Sequence, residues 1–396
     1  MDSKQQMDTD VIIIGGGAAG LMCAAEAAKR RRRVVVLDHG RKPGRRILLA
    51  GGGKCNFTNR ACTAENFISN NPHFCKSALA QYSAADFLAE VETAAIAYEE
   101  RDHGRLFCLH SAGELVEMLA ESCRRHGVIF QMKAAVGSIE KQDRFTVSTG
   151  DEILTADALV VATGGLSYPQ AGASDWGYQL ARQFGVATTP CRPGLVPLLY
   201  PQQDQKTLAD LTGIALEATA TCRKKQFTEN ILFTHNSLSG PAILQISNYW
   251  QPGDAITIDW LPGTDVYQIL TDQKESNGAS TIKGVLAHHL PNRMTRQWSQ
   301  RYFPEKALAE CSVSQIRQAT DSINRWTFLP RGTEGYAKAE VTVGGIDTNE
   351  LSSKTLESKK VEGLYFIGEV IDVTGQLGGY NLQWAWSSGF TAGQVV

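Results

Sequence analysis

The stretch that most constrains this chain is its start. Val11-Ile12-Ile13-Ile14 is a run of apolar, β-branched residues, the pattern of a strand buried on both faces. Gly15-Gly16-Gly17-Ala18-Ala19-Gly20 follows at once and reads G-x-G-x-x-G. Leu21 to Arg30 is Ala-rich and predicts a helix. Val34 to Leu37 predicts a second strand, and Asp38 ends it. Strand, glycine turn, helix, strand and acid, in that order, make the unit that cradles a dinucleotide. Gly15 permits the tight turn, Gly17 lets a pyrophosphate approach the backbone, and Gly20 lets helix and strand pack closely. The helix N-terminus, at Ala18 and Ala19, offers free N–H groups to the phosphates. Asp38 can accept hydrogen bonds from a ribose diol and would repel a 2′-phosphate, which favours FAD or NAD over NADP. The competing reading is a glycine-rich packing turn; the acid at the expected distance speaks against it.

The chain has 37 glycines in 396 residues, and three further clusters show what they are for. Gly51-Gly52-Gly53 is followed by Lys54-Cys55-Asn56, so flexible backbone stands beside a weak acid and a two-way hydrogen bonder. Ala158 to Val161 is another apolar strand, running into Ala162-Thr163-Gly164-Gly165. Near the C-terminus a strand ends in Gly368-Glu369. A turn over Gly375 to Gly379 then leads through Tyr380, Asn381 and Leu382 into an uncharged helix. A carboxylate at Glu369 can hold a ribityl hydroxyl, and the helix dipole can stabilise negative charge on a reduced flavin. A plain NAD dehydrogenase has no use for this distant third element, whereas an extended FAD does.

These segments carry a resemblance. GGGAAG (15–20), GRRILLAGGGKCNFTN (44–59), ATGGLSYP (162–169), LFTHNSLSGP (232–241), AEVTVGG (339–345) and GLYFIGEVIDVTGQLGGYN (363–381) resemble the BaiN/RdsA, or YhiN-like, family of bacterial flavoproteins. The resemblance runs from residue 11 to the end. It implies an α/β fold: a split, glutathione-reductase-type Rossmann-like FAD domain with an inserted β-barrel and helical domain. It also implies a reductive flavin reaction. Members have been assigned ribosomal RNA dihydrouridine synthesis, bile-acid intermediate reduction and aminoacetone oxidation. NPHFCKSALA (71–80) and LSSKTLESKK (351–360) are most similar to the proteobacterial branch implicated in the ribosomal RNA reaction. Expected FAD contacts along this unit further include His39, Lys42, Gly44, Arg45, Arg46, Ala135 and Val136. Lys54, Arg46 and Ser237 depart from the family's usual Arg, Lys and Gly; the first two keep the charge, and Ser237 puts its turn in question.

Every nucleotide-type motif lies in residues 1–190 or 335–396, which form the expected FAD domain. Between them, alternating patterns over 214–222, 227–233 and 255–260 predict a β-barrel within 191–262. Polar, helix-like sequence predicts a helical piece over 263–334. His235 to Pro241 is the polar hinge of this insert. Ser239 is a candidate cap for a helix starting near Pro241, and His235 can face a cleft. His288 and His289 have no partner at metal-ligand spacing, and no metal is expected.

Charge is uneven. Residues 1–60 carry twelve Lys and Arg against five Asp and Glu, a net of +7, so the remainder carries −9 of the total −2. The run Lys29-Arg30-Arg31-Arg32-Arg33 reads first as a cationic helix end and second as an RNA-phosphate footprint, to which the insert would add. Nine cysteines, an odd number with no C-x-x-C pair, argue against a disulfide framework. No segment has the apolar length of a membrane span, so a cytoplasmic protein is expected. The expected chemistry is hydride transfer at flavin N5, with NAD(P)H as a transient donor because a second full G-x-G-x-x-G is lacking. For a uracil in 23S ribosomal RNA the hydride goes to C6 and a proton to C5. Cys55 is the first candidate proton donor, with His235 and Tyr380 as the others. The alternatives are oxidation or reduction of a small amine, steroid-like enone or quinone, and a non-catalytic flavin-binding module.

Overall fold

Local sequence explains the first elements of the chain. In the computed structural model, residues 5–150 and 152–396 are described; residues 1–4, where the expected FAD domain begins, lie outside them. β1 (Val11–Ile14) is apolar throughout and at most 6% exposed. Only a strand covered on both faces tolerates such a run. α1 (Ala18–Lys29) follows the glycine turn, with ten of its residues buried. Arg30 caps it and Arg31, at φ 66°, turns the chain away. β2 (Val34–Asp38) returns parallel to β1, with Ile14 opposite Leu37. Next come α2 (Arg45–Leu49) and β3 (Asn56–Asn59), the latter in a small antiparallel sheet with Arg105–Cys108 and Tyr98–Arg101. α3 (Gly113–Arg125) buries Leu115, Leu119, Ala120 and Cys123. β4 (Ile129–Met132) joins the far side of β2, and β5 (Ala158–Val161) joins β1, both parallel.

The chain divides into two compact units, one of Met1–Pro193 with Val341–Val396 and one of Gly194–Glu340. The second unit is built on a seven-stranded sheet. Its longest strands are β6 (Ala215–Cys222) and β7 (Lys225–Phe233), an antiparallel hairpin. β8 (Ser237–Ser239) pairs with β7, and α4 (Pro241–Ser247) follows. β9 (Ile256–Asp259) pairs with the other side of β6. Four helices come next: α5 (Val266–Ser276), α6 (Ile282–Leu286), α7 (Asn292–Tyr302) and α8 (Val313–Asn324). β10 (Trp326–Phe328) closes one side of the sheet against β9, while Leu198–Leu199 and Gly332–Thr333 complete the other. Where the sequence suggests a barrel, the ladder runs from β10 to Gly332–Thr333, and among the described residues these two end strands are not paired to each other. Because strands on both sides of the helical segment enter one sheet, strands and helices share one core. At its centre the indole rings of Trp260, Trp298 and Trp326 lie with centroids 5.6–5.9 Å apart.

On its return the chain forms β11 (Leu364–Phe366), parallel to β5, which completes the order β11-β5-β1-β2-β4. α9 (Tyr380–Gly393) then packs along α1. Small residues make that approach possible. A Cβ at Gly389 would lie 2.5 Å from Ala19 O, and one at Gly393 2.6 Å from Glu26 Cβ.

Candidate dinucleotide site

The parallel strands β1, β2 and β5 deliver their C-terminal ends to one edge of the sheet, the usual place for ligands in such folds. The glycine turn there is shaped by contact on one side and openness on the other. A Cβ at Gly15, at φ 112°, would lie 2.3 Å from Ala162 O, and one at Gly20 would lie 1.9 Å from Gly15 O. A Cβ at Gly17, the residue capping α1, meets nothing within 4 Å. The first two glycines are therefore needed by the protein itself. The third leaves space in front of the helix N-terminus, where phosphate would sit.

Asp38 finishes β2 with both carboxylate oxygens in use. Gly16 N–H donates to Oδ2 at 2.7 Å and Gly40 N–H to Oδ1 at 2.6 Å. The acid is thus fixed beside the turn, and each oxygen keeps accepting capacity for a ribose hydroxyl. Lys133 and Ala134 donate to the carbonyls of Gly40 and Asp38 at 2.8 and 2.9 Å, which brings Ala135 and Val136 to the same edge. His39 is exposed, and its ring lies where a Cβ at Gly172 would be, 2.3 Å from Nε2. Lys42 is exposed as well. Gly44 N–H donates to Gly16 O at 2.8 Å, so the second loop is tied to the first.

The other end of the site is a network on Glu369. Arg46 Nη1 donates to Glu369 Oε2, and Thr342 N–H to Oε1 at 2.9 Å. Thr342 Oγ1 in turn accepts from Leu166 N–H at 2.8 Å and Ser167 N–H at 3.2 Å. Thr342 therefore joins the segments carrying Gly164-Gly165 and Gly368-Glu369. Thr342 stands in the AEVTVGG segment, where its one local signal is a lone hydroxyl between two buried valines. A Cβ at Gly165 would lie 2.5 Å from Thr342 Oγ1 and one at Gly164 3.0 Å from Arg46 Nη1. Among the described residues Thr163 Oγ1 is buried without a hydrogen-bond partner. An open glycine at the phosphate position and a fixed acid at the ribose position together fit an extended dinucleotide.

The loop leading out of this region bears one unusual residue. Tyr168 has φ 65° and ψ 60°, a left-handed conformation that costs an L-residue about 1–2 kcal/mol.

The third glycine cluster anchors α9. Gly379, at φ 95°, caps it, and a Cβ there would lie 2.4 Å from Thr58 O. With its amide oriented to satisfy its neighbours, Asn56 donates to Thr58 O and Leu106 O and accepts from Gly379 N–H at 3.0 Å. Asn381 spends its amide locally: it accepts from Gly375 N–H at 2.8 Å and donates to Gly375 O at 3.0 Å. Leu382 is half-buried. Tyr380 is buried and lies edge-on to Phe67, with centroids 6.3 Å apart. Gly52 faces open space at φ 67°, as does Gly53, at φ 90°, where the nearest atom to a Cβ would be 4.0 Å away. Gly368, at φ 71°, donates to Ser388 Oγ at 3.0 Å.

One expectation needs correction, the proton-donor role of Cys55. Cys55 has no exposed surface, and burial pushes its thiol far up from the usual range. It is a core side chain that no substrate can touch. The cation run at 29–33 is exposed, and three of its five side chains pair within the protein. Lys29 pairs with Glu26 at 2.5 Å. Arg30 Nη1 donates to Gly393 O at 3.1 Å and Val396 O at 2.9 Å, matching the C-terminal dipole of α9. Arg33 pairs with Asp10 at 2.7 Å and Asp8 at 3.1 Å. The Arg33 hydrogen bond holds the Asp10 carboxyl below its ordinary range, and Arg144, then Arg33, do the same for Asp8.

In the second unit, His235 is exposed at the turn after β7, with Nδ1 3.4 Å from Thr212 Oγ1. Ser237 fits its turn: its hydroxyl donates to Glu334 Oε1 at 2.6 Å and meets Thr234 Oγ1 at 2.7 Å. α4 is capped by Gly240, at φ 88°, and not by Ser239, which belongs to β8. Among the described residues no helix is long and apolar enough to cross a membrane, and no cluster of His, Cys, Asp and Glu is grouped to hold a metal ion.

Comparison with known proteins places this geometry. The family model described as "HI0933-like protein Rossmann domain" matches residues 9–395. The chain is 46% identical over 361 residues to the ribosomal RNA dihydrouridine synthase of Escherichia coli K12, covering 90% of each chain. It is 28% identical over 380 residues to the 3-dehydro-bile acid delta(4,6)-reductase of Clostridium scindens, covering 89% and 90%. Among solved structures, 3-ketosteroid-delta4-(5alpha)-dehydrogenase from Rhodococcus jostii aligns with a TM-score of 0.51 at 13% identity, covering 99% and 98%. That last likeness is one of fold.

Proposed function

The chain belongs to the HI0933-like family and is an oxidoreductase of the FAD type, and on that premise we propose that it reduces a uracil base of 23S ribosomal RNA to dihydrouridine in the cytoplasm. The observation that carries the reading is the 46% identity, spread over 90% of both chains, with a ribosomal RNA dihydrouridine synthase. The 28% relative is named for reducing double bonds of a 3-dehydro bile acid. Both names describe saturating a carbon–carbon double bond in a ring that carries a carbonyl. A steroid-like enone is therefore the second reading.

FAD would be held with its diphosphate at the α1 N-terminus, its adenosine ribose at Asp38 and its ribityl chain near Glu369. When bound, it supplies a hydride for an electron-poor carbon. The protein's own contribution is positional. Thr342 and Arg46 fix Glu369, and Asn56 with Gly379 fixes the start of α9, whose positive end favours negative charge in front of it. NAD(P)H is proposed as the external donor; it would bind transiently and leave.

The proton for the second carbon needs an accessible weak acid. Cys55 is excluded by burial and Tyr380 is packed on Phe67. Of the three candidates, His235, on the second unit, is the exposed one.

The test is complementation. In an Escherichia coli strain deleted for its own ribosomal RNA dihydrouridine synthase, this chain should restore dihydrouridine to 23S ribosomal RNA, read by nucleoside mass spectrometry. A soluble, flavin-loaded chain that restores none would overturn the reading.

A further inference from the structure

Tyr168 combines two features that rarely coincide. It is an aromatic residue in the left-handed region, at φ 65° and ψ 60°, and it directly precedes Pro169. A residue before proline is normally driven to extended backbone, so the conformation is doubly disfavoured. The loop nevertheless enforces it. Ala171 N–H donates to Tyr168 O at 2.8 Å and Gly172 N–H to Pro169 O at 2.8 Å. Upstream, Leu166 and Ser167 are held by Thr342 Oγ1. Downstream, Arg45 Nη2 donates to Gln170 O at 3.0 Å.

The side chain so placed reaches the surface. Tyr168 is 37% exposed. Among the described residues its hydroxyl makes no hydrogen bond and its ring meets no other ring or cation. Backbone strain that the fold enforces on an exposed side chain without a polar partner points to a ligand. The surroundings say which kind. Arg45 is exposed beside the loop, and exposed His39 lies over Gly172. A partly exposed aromatic ring in a loop that also meets a guanidinium, at Gln170, and an imidazole, at Gly172, suits single-stranded nucleic acid: base on ring, phosphate on cation.

We propose that Tyr168 is a stacking platform for an unpaired pyrimidine nucleotide of the RNA substrate, with Arg45 taking an adjoining phosphate. The assignment rests on the RNA reading above and adds the surface that would receive the strand.

The test uses the full, FAD-loaded chain and a fluorescein-labelled oligouridylate, followed by anisotropy over a salt series. Tyr168→Gly removes the ring and also releases the left-handed strain, so it should melt no lower than the parent. It should bind the probe at least about fivefold more weakly, given what base–aromatic stacking contributes. Its dependence on salt should be unchanged. Tyr168→Phe should restore binding. Arg45→Ala should reduce the slope of log K against log salt by about one phosphate contact. Flavin content should match the parent in Tyr168→Gly and Tyr168→Phe.

Parental affinity in Tyr168→Gly would overturn the stacking assignment alone. Loss of flavin in the same variant would overturn it by giving the ring to the cofactor. If the parent chain fails to bind the probe and also fails to complement the deletion strain, the RNA reading itself falls and takes this proposal with it. If it complements and Tyr168→Gly complements equally, only the platform is refuted.

Discussion

The dinucleotide site and the second unit use glycine differently. Around the dinucleotide site, several glycines stand where any side chain would strike backbone: Gly15 against Ala162 O, Gly20 against Gly15 O, Gly344 against Pro190 O at 2.2 Å and Gly379 against Thr58 O. In the second unit, Gly213, Gly253, Gly263 and Gly335 all have positive φ but face open space; Gly240, 2.5 Å from Asn230 O, and Gly278, 2.9 Å from Ala309 Cβ, are crowded like the first group. There glycine serves the turn, and bulk serves the core, as the Trp260 cluster shows. The contrast teaches that the first unit is organised around space it must keep empty and the second around space it must fill.

The sharpest way to break that contrast is a pair of alanines three residues apart. Gly20→Ala puts a Cβ 1.9 Å from Gly15 O, a backbone clash that no rotamer relieves, and should cost about 3 kcal/mol or more. Gly17→Ala adds the same methyl where the protein has nothing within 4 Å, at a helix cap where alanine costs roughly 1 kcal/mol or less. It should fold and yet lose flavin. Thermal melts and flavin absorbance on both variants decide the matter. A Gly17→Ala protein that is fully yellow would show that the open space is not the phosphate seat.

In the second unit the corresponding experiment removes bulk. Trp260 is fully buried and touches the rings of Phe233, Trp298 and Trp326 at 5.3, 5.9 and 5.6 Å. Trp260→Ala should cost about 3–5 kcal/mol. Whatever protein remains folded should hold flavin at parental stoichiometry, measured on the gel-filtered monodisperse fraction.

What could be read from the sequence follows the same division. VIII, VVVLD and the G-x-G-x-x-G turn were legible because parallel strands and phosphate turns have local signatures of burial and backbone freedom. The roles of Thr342 and Arg30 were not. Thr342 acts on residues more than 170 positions earlier in the chain, and Arg30 caps a helix end at Gly393 and Val396. Such pairings leave no periodicity. Cys55 misled for a related reason: its glycine neighbours signal a ligand, but the direction of one side chain at φ 48° is decided by packing. In the insert, strand segments were visible by alternation. That the short strands beyond the helical segment would join the same sheet depends on long-range pairing and could not be seen.

The Glu369 network lies between the extremes. Glu369→Gln keeps an acceptor for Thr342 N–H but removes the charge opposite Arg46. With both side chains at most a third exposed, the loss should be about 1–2 kcal/mol. Because Arg46 also borders Gly164, flavin affinity should fall with stability, a joint effect that neither Gly17→Ala nor Trp260→Ala produces. Flavin titration of the apoprotein beside a denaturant melt would expose a decoupling of the two.

The smallest effect completes the cross. Gly253 has φ 95° with nothing within 4 Å of a Cβ, so Gly253→Ala meets no clash and only the left-handed backbone resists it, at about 1 kcal/mol. Flavin content should not change. Gly17→Ala and Gly253→Ala thus add the same methyl to open space in the two units and should fail in opposite columns: one loses ligand with little stability, the other a little stability with no ligand. If both lost only stability, the openness at Gly17 would be an ordinary turn, and the difference between the units would reduce to one of packing.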